Sequence, residues 1–260
     1  MLTIRTVEAT RYLTPLREGG SLPAIVEADD DGLYVLKFRG AGQGPKALIA
    51  ELVAGEIARA LGLPVPEIVF MQLDAELART EPDPEIQDLI RASGGLNLGL
   101  DYLPGALAYD PLTMPVAPAL ASQVVWFDAF VGNVDRTPRN TNMLWWHGRL
   151  WLIDHGAALV FQHQWEGFLE RSRRPFAPIR DHVLLARATE LAAADASLSA
   201  LLTPQRLQQI VATIPDAWLE LDPAFTDRAA QRDAYLQHFT ARLQAPRAFA
   251  EQAEQARAAL

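Results

Sequence analysis

Asn133-Val134-Asp135-Arg136-Thr137-Pro138-Arg139-Asn140, followed by Ile153-Asp154-His155-Gly156, decides the reading of this 260-residue chain. It sets one carboxylate at Asp135, an amide five residues later at Asn140, and a second carboxylate at Asp154, fourteen residues beyond that amide. Between Asn142 and Asp154 the pattern reads as a hairpin: Met143-Leu144-Trp145-Trp146, the turn His147-Gly148, then Leu150-Trp151-Leu152-Ile153-Asp154. A carboxylate base followed by amide and carboxylate oxygens is the inventory that holds a hydroxyl nucleophile and magnesium beside a nucleoside triphosphate. Oxygen-only donors suit magnesium better than zinc. Phosphoryl transfer is mostly positioning and charge neutralisation, so few side chains are needed, but their order matters.

Immediately upstream, Ala121 to Gly132 is apolar on every side except at Asp128, which predicts a buried helix carrying one carboxylate that requires a partner. We expect Asp128 to be structural, bonding the loop that follows. Arg136 and Arg139 stand beside Asp135, placed to stabilise charge or a substrate phosphate; the alternative for Arg136 is a pair with Asp128 or loop carbonyls. The four tryptophans from Trp126 to Trp151 are expected to pack behind the site.

The first hundred residues read as strands interrupted by one helix. Strands are expected over Thr3–Arg11, Leu22–Ala28, Leu33–Phe38 and Pro66–Leu73, with Asp29-Asp30-Asp31-Gly32 as a hairpin turn. Gly94 to Gly105 would be a last strand leading into a hinge. Gly19-Gly20-Ser21 before the hairpin would let backbone N–H groups approach a phosphate, and equally would serve an ordinary turn. Lys37 ends an apolar strand, either as a solvated edge lysine or as one reaching inward to phosphates. The helix from about Lys46 to Leu61 stops at Leu61-Gly62-Leu63-Pro64. It offers Glu51 and Glu56 as partners for Lys37, and being apolar on nearly every face, its periodicity does not choose between them. Glu76 to Ala92 reads as a loop and short helix.

Beyond Asp154, Asp181–Leu202, Pro204–Ile214 and Ala229–Leu260 read as helices, with His182 satisfied at a helix end. Arg171-Ser172-Arg173-Arg174-Pro175 is a solvated basic loop or a dock for an acidic or phosphorylated segment.

With a formal net charge of −9, the chain lacks the electrostatic footprint of a nucleic-acid binder. The absence of cysteine excludes disulfides and thiolate chemistry. No export signal or membrane span is legible, so a cytoplasmic, soluble protein is expected.

In order, a Gly corner, strand lysine, helix glutamate, hinge, D-x-x-x-x-N, hairpin and D-x-G follow the protein-kinase-like plan. The chain resembles the HipA-like kinase family. The loop Asn133 to Asn140 looks like its N-x-D-R-x-x-x-N. Glu51 with Ile57-Ala58-Arg59-Ala60-Leu61-Gly62-Leu63-Pro64 looks like its E-x₅-L-A-x-x-x-G-L-P helix. The resemblance implies an α+β, two-lobed fold: a β-rich nucleotide-binding lobe over residues 1–103 with one packed helix, and a helical lobe over 104–260. It implies Asp135 as catalytic base, Asn140 and Asp154 as magnesium ligands, and Lys37 on the α- and β-phosphates of ATP with Glu51 as its ion-pair partner. Gly19, Gly20 and Ser21 would cover the phosphates, Ser21 being a candidate for self-modification. Thr137 stands where better-studied members have histidine, and His155 where protein kinases place phenylalanine.

The activity expected is transfer of the γ-phosphate of Mg-ATP to a protein serine or threonine. The alternatives are a small-molecule or lipid-headgroup kinase on the same scaffold, and a nucleotide-binding regulatory module without turnover. Family members often work with a small DNA-binding antitoxin, but no helix-turn-helix is legible here and no regulatory partner is inferred.

Overall fold

A computed structural model of the protein describes residues 2–16, 22–42 and 44–260. Gly19, Gly20 and Ser21 lie outside the described residues. Among those described, no helix is long and apolar enough to cross a membrane.

The chain begins β1 (Thr6–Pro15), β2 (Ala24–Ala28) and β3 (Leu33–Lys37), then α1 (Pro45–Ala60), β4 (Ile68–Leu73), a 3₁₀ turn at Ala75–Thr80, α2 (Pro84–Ala92) and β5 (Gly95–Asp101). The five strands close into a barrel in the order β1-β2-β3-β5-β4. All neighbours are antiparallel except β1 and β4, whose parallel pairing from Thr6↔Phe70 to Glu8↔Gln72 closes the ring. Alternate residues (Ala24 and Val26, Tyr34 and Leu36, Met71 and Leu73) join one buried cluster, to which α2 adds Ile86 and Ile90. The same alternation turns Val35 and Lys37 to the other face of β3. Gly99 lies where a Cβ would stand 2.9 Å from Val69 Cγ2, so β5 needs a glycine there.

Helix α1 is buried from Leu48 to Ala58, both glutamates included. Its apolar side chains belong to a second cluster shared with the C-terminal helices, so α1 is a core element between the barrel and those helices. It ends in a Schellman motif: Gly62 at φ 77°, with Gly62 N donating to Arg59 O and Leu63 N to Ala58 O.

The remainder is β6 (Leu107–Ala108), α3 (Pro118–Val131), β7 (Met143–Trp146), β8 (Arg149–Leu152), α4 (Phe168–Ser172), α5 (Leu191–Leu201), α6 (Pro204–Val211), α7 (Arg228–Leu243) and α8 (Ala248–Ala258). The expected hairpin is present as β7–β8, its two-residue turn His147-Gly148 having both φ positive, as a type I′ turn requires. The short β6, not foreseen, adds a third strand beside β7.

Several expectations need correction. The helix expected over Asp181–Leu202 starts only at Leu191, with short 3₁₀ turns before it. His182 Nδ1 accepts the Leu184 N–H there and competes with a helical ladder. The expected Ala229–Leu260 helix is two helices, because Pro246 cannot donate to a ladder. Of the four tryptophans, only Trp126 is in the core. Trp145, Trp146 and Trp151 are half-buried on the β6–β7–β8 sheet, and Trp146 meets Trp151 edge to face at 5.5 Å.

Candidate active site

Two clusters of polar residues meet at the loop after α3. The inner one is built on Asp128, in the last turns of a helix buried on nearly every side. Gly132 closes that helix in the left-handed conformation, and the chain turns back so that Asn133 N donates to Asp128 O at 2.9 Å. The Asp128 carboxylate then accepts from Asn133 Nδ2 at 2.8 Å, Arg136 Nε at 2.6 Å and His182 Nε2 at 2.9 Å. Because His182 Nδ1 accepts a backbone N–H, the ring proton is on Nε2 and points at Asp128. Burial opposes the Asp128 charge, but the Arg136 guanidinium and the His182 hydrogen bond outweigh it and hold the carboxyl far below its ordinary range. Arg136 is 1% exposed and also donates to the carbonyls of Asn142 and Ile153, at the two ends of the hairpin. The expectation that Asp128 is structural agrees with this geometry. Arg136 is not available to a substrate phosphate: its guanidinium is consumed inside the fold, which was the alternative expected for it.

The outer cluster is reachable. Asp135, half-buried, receives Asn140 Nδ2 at 2.8 Å and Asn142 Nδ2 at 3.2 Å on the same oxygen, Oδ2. Its own N–H donates to Asn133 Oδ1 at 3.1 Å, so one asparagine spans both clusters. The turn from Thr137 to Asn140 is closed by two backbone hydrogen bonds, and Thr137 Oγ1 accepts the Asn140 N–H at 3.3 Å. Thr137 therefore shapes the turn presenting Asn140. Arg139 is exposed.

Across the cleft, Lys37 Nζ lies 2.6 Å from Asp154 Oδ1 and 3.4 Å from Glu51 Oε2. Burial alone would lower the lysine, but the two carboxylates raise it above its ordinary value. Burial likewise would raise Glu51, but Lys37 and the hydrogen bond from His155 bring it down to about 2. His155 is fully buried, edge-on to Phe127, with Nδ1 3.3 Å from Glu51 Oε1. Since Glu51 is ionised, Nδ1 carries the proton. Asp154, in the left-handed conformation at φ 54°, keeps its side chain 43% exposed.

Lys37, Asn140, Asn142 and Asp154 line one cavity of about 350 Å³. Its apolar walls are Val35, Leu100 and Leu103 from the barrel side and Leu144 and Ile153 from the hairpin. No tryptophan lines it. The structure thus brings together Lys37, Glu51 and Asp154 on one side, and Asp135 with Asn140 on the other.

Three roles were not read from the sequence. Asn142, which the five-residue offset from Asp135 ranks below Asn140 as a metal ligand, shares Asp135 Oδ2 with Asn140. Asn133 holds the Asp135 backbone. His155 was noted only as a departure, although its sequence neighbour Asp154 is in the cleft.

A family model described as HipA-like kinase matches residues 10–251. The chain belongs to the HipA-like kinase family. Among solved structures, this HipA-like protein is similar to the Helicobacter pylori proinflammatory kinase CtkA, at 12% identity and TM-score 0.63, over 98% of this chain and 99% of that one. It is also similar to the Golgi casein kinase with Mn/ADP bound, at 13% identity and TM-score 0.48, over 97% of this chain and 72% of the other. No curated protein matches it in sequence. The likeness to CtkA shows a kinase-like fold of mixed helix and strand, with the N-terminal sheet closed into a small barrel.

Proposed function

We propose that this HipA-like protein transfers the γ-phosphoryl group of Mg-ATP to the hydroxyl of a protein serine or threonine. The observation that carries this reading is Lys37 held between Glu51 and Asp154 in the cavity that also contains Asn140. In this reading, residues 1–103 form the nucleotide-binding lobe and 104–260 the lobe carrying the catalytic loop.

The donor set fits a hard divalent cation. Asn140 gives its Nδ2 to Asp135, which leaves Oδ1 free to ligate, and Asp154 gives Oδ1 to Lys37, which leaves Oδ2. Among the described residues no group of three or more His, Cys, Asp or Glu side chains could hold a metal. A magnesium ion held by these two oxygens would take its other ligands from phosphate oxygens and water. When bound, magnesium would neutralise the developing phosphate charge.

The protein's own residues supply the rest. Lys37 binds the α- and β-phosphates, and Glu51, fixed by His155, prevents it from swinging away. Asp135 accepts the proton of the acceptor hydroxyl. Its Oδ2 is turned to the two asparagines, so Oδ1 is the atom free to take that proton. Glycine-corner residues Gly19, Gly20 and Ser21 would cover the phosphates.

Incubation with labelled ATP and magnesium, wild type against Asp154→Ala, followed by mass spectrometry, tests the reading. Phosphoprotein formed by the wild type alone supports it, and Ser21 is the first position to inspect for self-modification. ADP release accelerated by a hydroxyl metabolite without phosphoprotein would make it a small-molecule kinase. Nucleotide binding with no transfer at all would sink the enzymatic reading.

A further inference from the structure

A second cavity, of about 320 Å³, lies between the segment after Asp154 and helix α7. Its walls are chemically specific. Val160, Phe161 and Phe176 give it an apolar face, and Arg171 and Arg174 stand at its side. No carboxylate lines it, and neither arginine forms an ion pair among the described residues. Arg171 Nη2 donates to the Gln164 carbonyl, which braces that guanidinium and leaves its other N–H groups unused.

The floor holds His238, 6% exposed, its ring stacked on Phe161 at 3.5 Å and 12°. Burial pushes its imidazole down to about 3, reinforced by the Arg242 charge and opposed by a hydrogen bond to the Phe168 backbone, so the ring is neutral. Nδ1 is buried without a hydrogen-bond partner. Nδ1 is therefore a buried ring nitrogen with an unused hydrogen-bonding position. A buried polar atom left unsatisfied is costly, and a ligand polar group reaching Nδ1 would remove that cost.

Two guanidinium groups with unused N–H groups, an unpartnered ring nitrogen and an aromatic face together select an anion with several oxygens, a further polar group and an apolar stem. A phosphate monoester has three acceptor oxygens and a charge near −2, which two arginines match better than a carboxylate does. We propose that this cavity is a regulatory site for a phosphate monoester on an apolar stem. Arg171 and Arg174 take the phosphate, Phe161 and Phe176 the stem, and His238 Nδ1 a polar group of the ligand.

The route to the cleft is short. Gln162, in the same segment, donates Nε2 to the Lys46 carbonyl at the start of α1 at 3.0 Å. It accepts from Tyr235 OH of α7 at 2.9 Å. Helix α1 carries Glu51. A ligand that fixes Phe161 fixes the neighbour of the residue that ties α1 in place.

Isothermal titration with phenyl phosphate, N-acetyl-phosphothreonine methylamide and inorganic phosphate tests the site directly. Both or either ester should bind more tightly than inorganic phosphate, and the tighter ester identifies a small-molecule or a polypeptide source. Arg174→Ala, at an exposed position, should weaken binding about tenfold or more, and adding Arg171→Ala should abolish it. His238→Phe, which keeps the stack, should weaken it less. Lys37→Ala should bind as the wild type does, separating this cavity from the nucleotide cleft whether or not the chain proves to be a kinase. The inference is overturned if inorganic phosphate binds as tightly as both esters, if the double arginine variant binds normally, or if Lys37→Ala abolishes binding.

Discussion

Asp128 and Asp135 stand on either side of one helix end, and their surroundings are opposite. Asp128 has no exposure and takes donors from Asn133, Arg136 and His182. Asp135 is half-buried and takes its side-chain hydrogen bonds from two neutral amides, both on one oxygen. The first carboxylate is saturated and charge-paired, so it can fix a loop but cannot exchange partners. The second is oriented but leaves an oxygen free, as a proton acceptor requires. If Asp135 is the base proposed above, one carboxylate is held still and the other kept reactive by their difference in burial, with Asn133 shared between them. Within one short loop, Arg136 serves the first task, and Thr137 and Asn140 serve the second.

The largest effect should come from attacking the inner cluster. Asp128→Ala strands a buried guanidinium, and breaking such a pair costs about 3–5 kcal/mol. Urea denaturation should show that loss, and an unchanged midpoint would erase the distinction drawn here. Asp135→Ala should do the reverse. Its denaturation midpoint should stay close to wild type, while kcat for phosphoryl transfer falls by about 10²–10⁴-fold. A variant that unfolds before it loses activity would mean Asp135 is structural too.

A smaller effect is expected at His155, whose imidazole is fully buried edge-on to Phe127 yet leaves Nε2 without a partner. Only Nδ1, toward Glu51, explains an imidazole there. His155→Asn, which retains a donor near Nδ1, should keep most of kcat. His155→Phe, which fits the shape without the donor, should lose about tenfold. Equal losses in the two variants would assign His155 to packing alone.

The mildest perturbation is acid. Asp128 and Glu51 are both held below their ordinary values, so the stability they supply is complete above about the unfolded value of 4.5 and is lost as pH falls toward about 2. Denaturation midpoints between pH 7 and 3 should decline for the wild type. They should decline less for Asp128→Ala, which has already lost the Asp128 contribution.

The division between the two carboxylates was partly legible before any coordinates. A single charge in an all-apolar helix announces a buried, partnered aspartate, and the five-residue offset of Asn140 from Asp135 marks the outer pair. Arg136 was harder. Its carbonyl partners, at Asn142 and Ile153, come from the hairpin ends, so no local pattern distinguishes it from an exposed neighbour such as Arg139. Glu51 and Glu56 could not be separated by periodicity for a reason now visible: α1 is covered on all sides, and a helix without a solvent face has no phase to read. The family resemblance chose Glu51, and the 3.4 Å contact with Lys37 agrees with that choice. The strand pattern, in contrast, transmitted the cleft wall well, since alternation alone puts Val35 and Lys37 on one face.

The barrel order carries a consequence for how the chain is made. β5 is the last of the five strands in sequence but sits between β3 and β4 in space. While a nascent chain extends only to Ser93, β3 and β4 each have a bare edge of unpaired N–H and C=O groups, open to a neighbouring chain. Emergence of Gly95 to Asp101 seals both edges in one event. Fragments that stop short of it should associate and precipitate, while those reaching past Asp101 lose that liability.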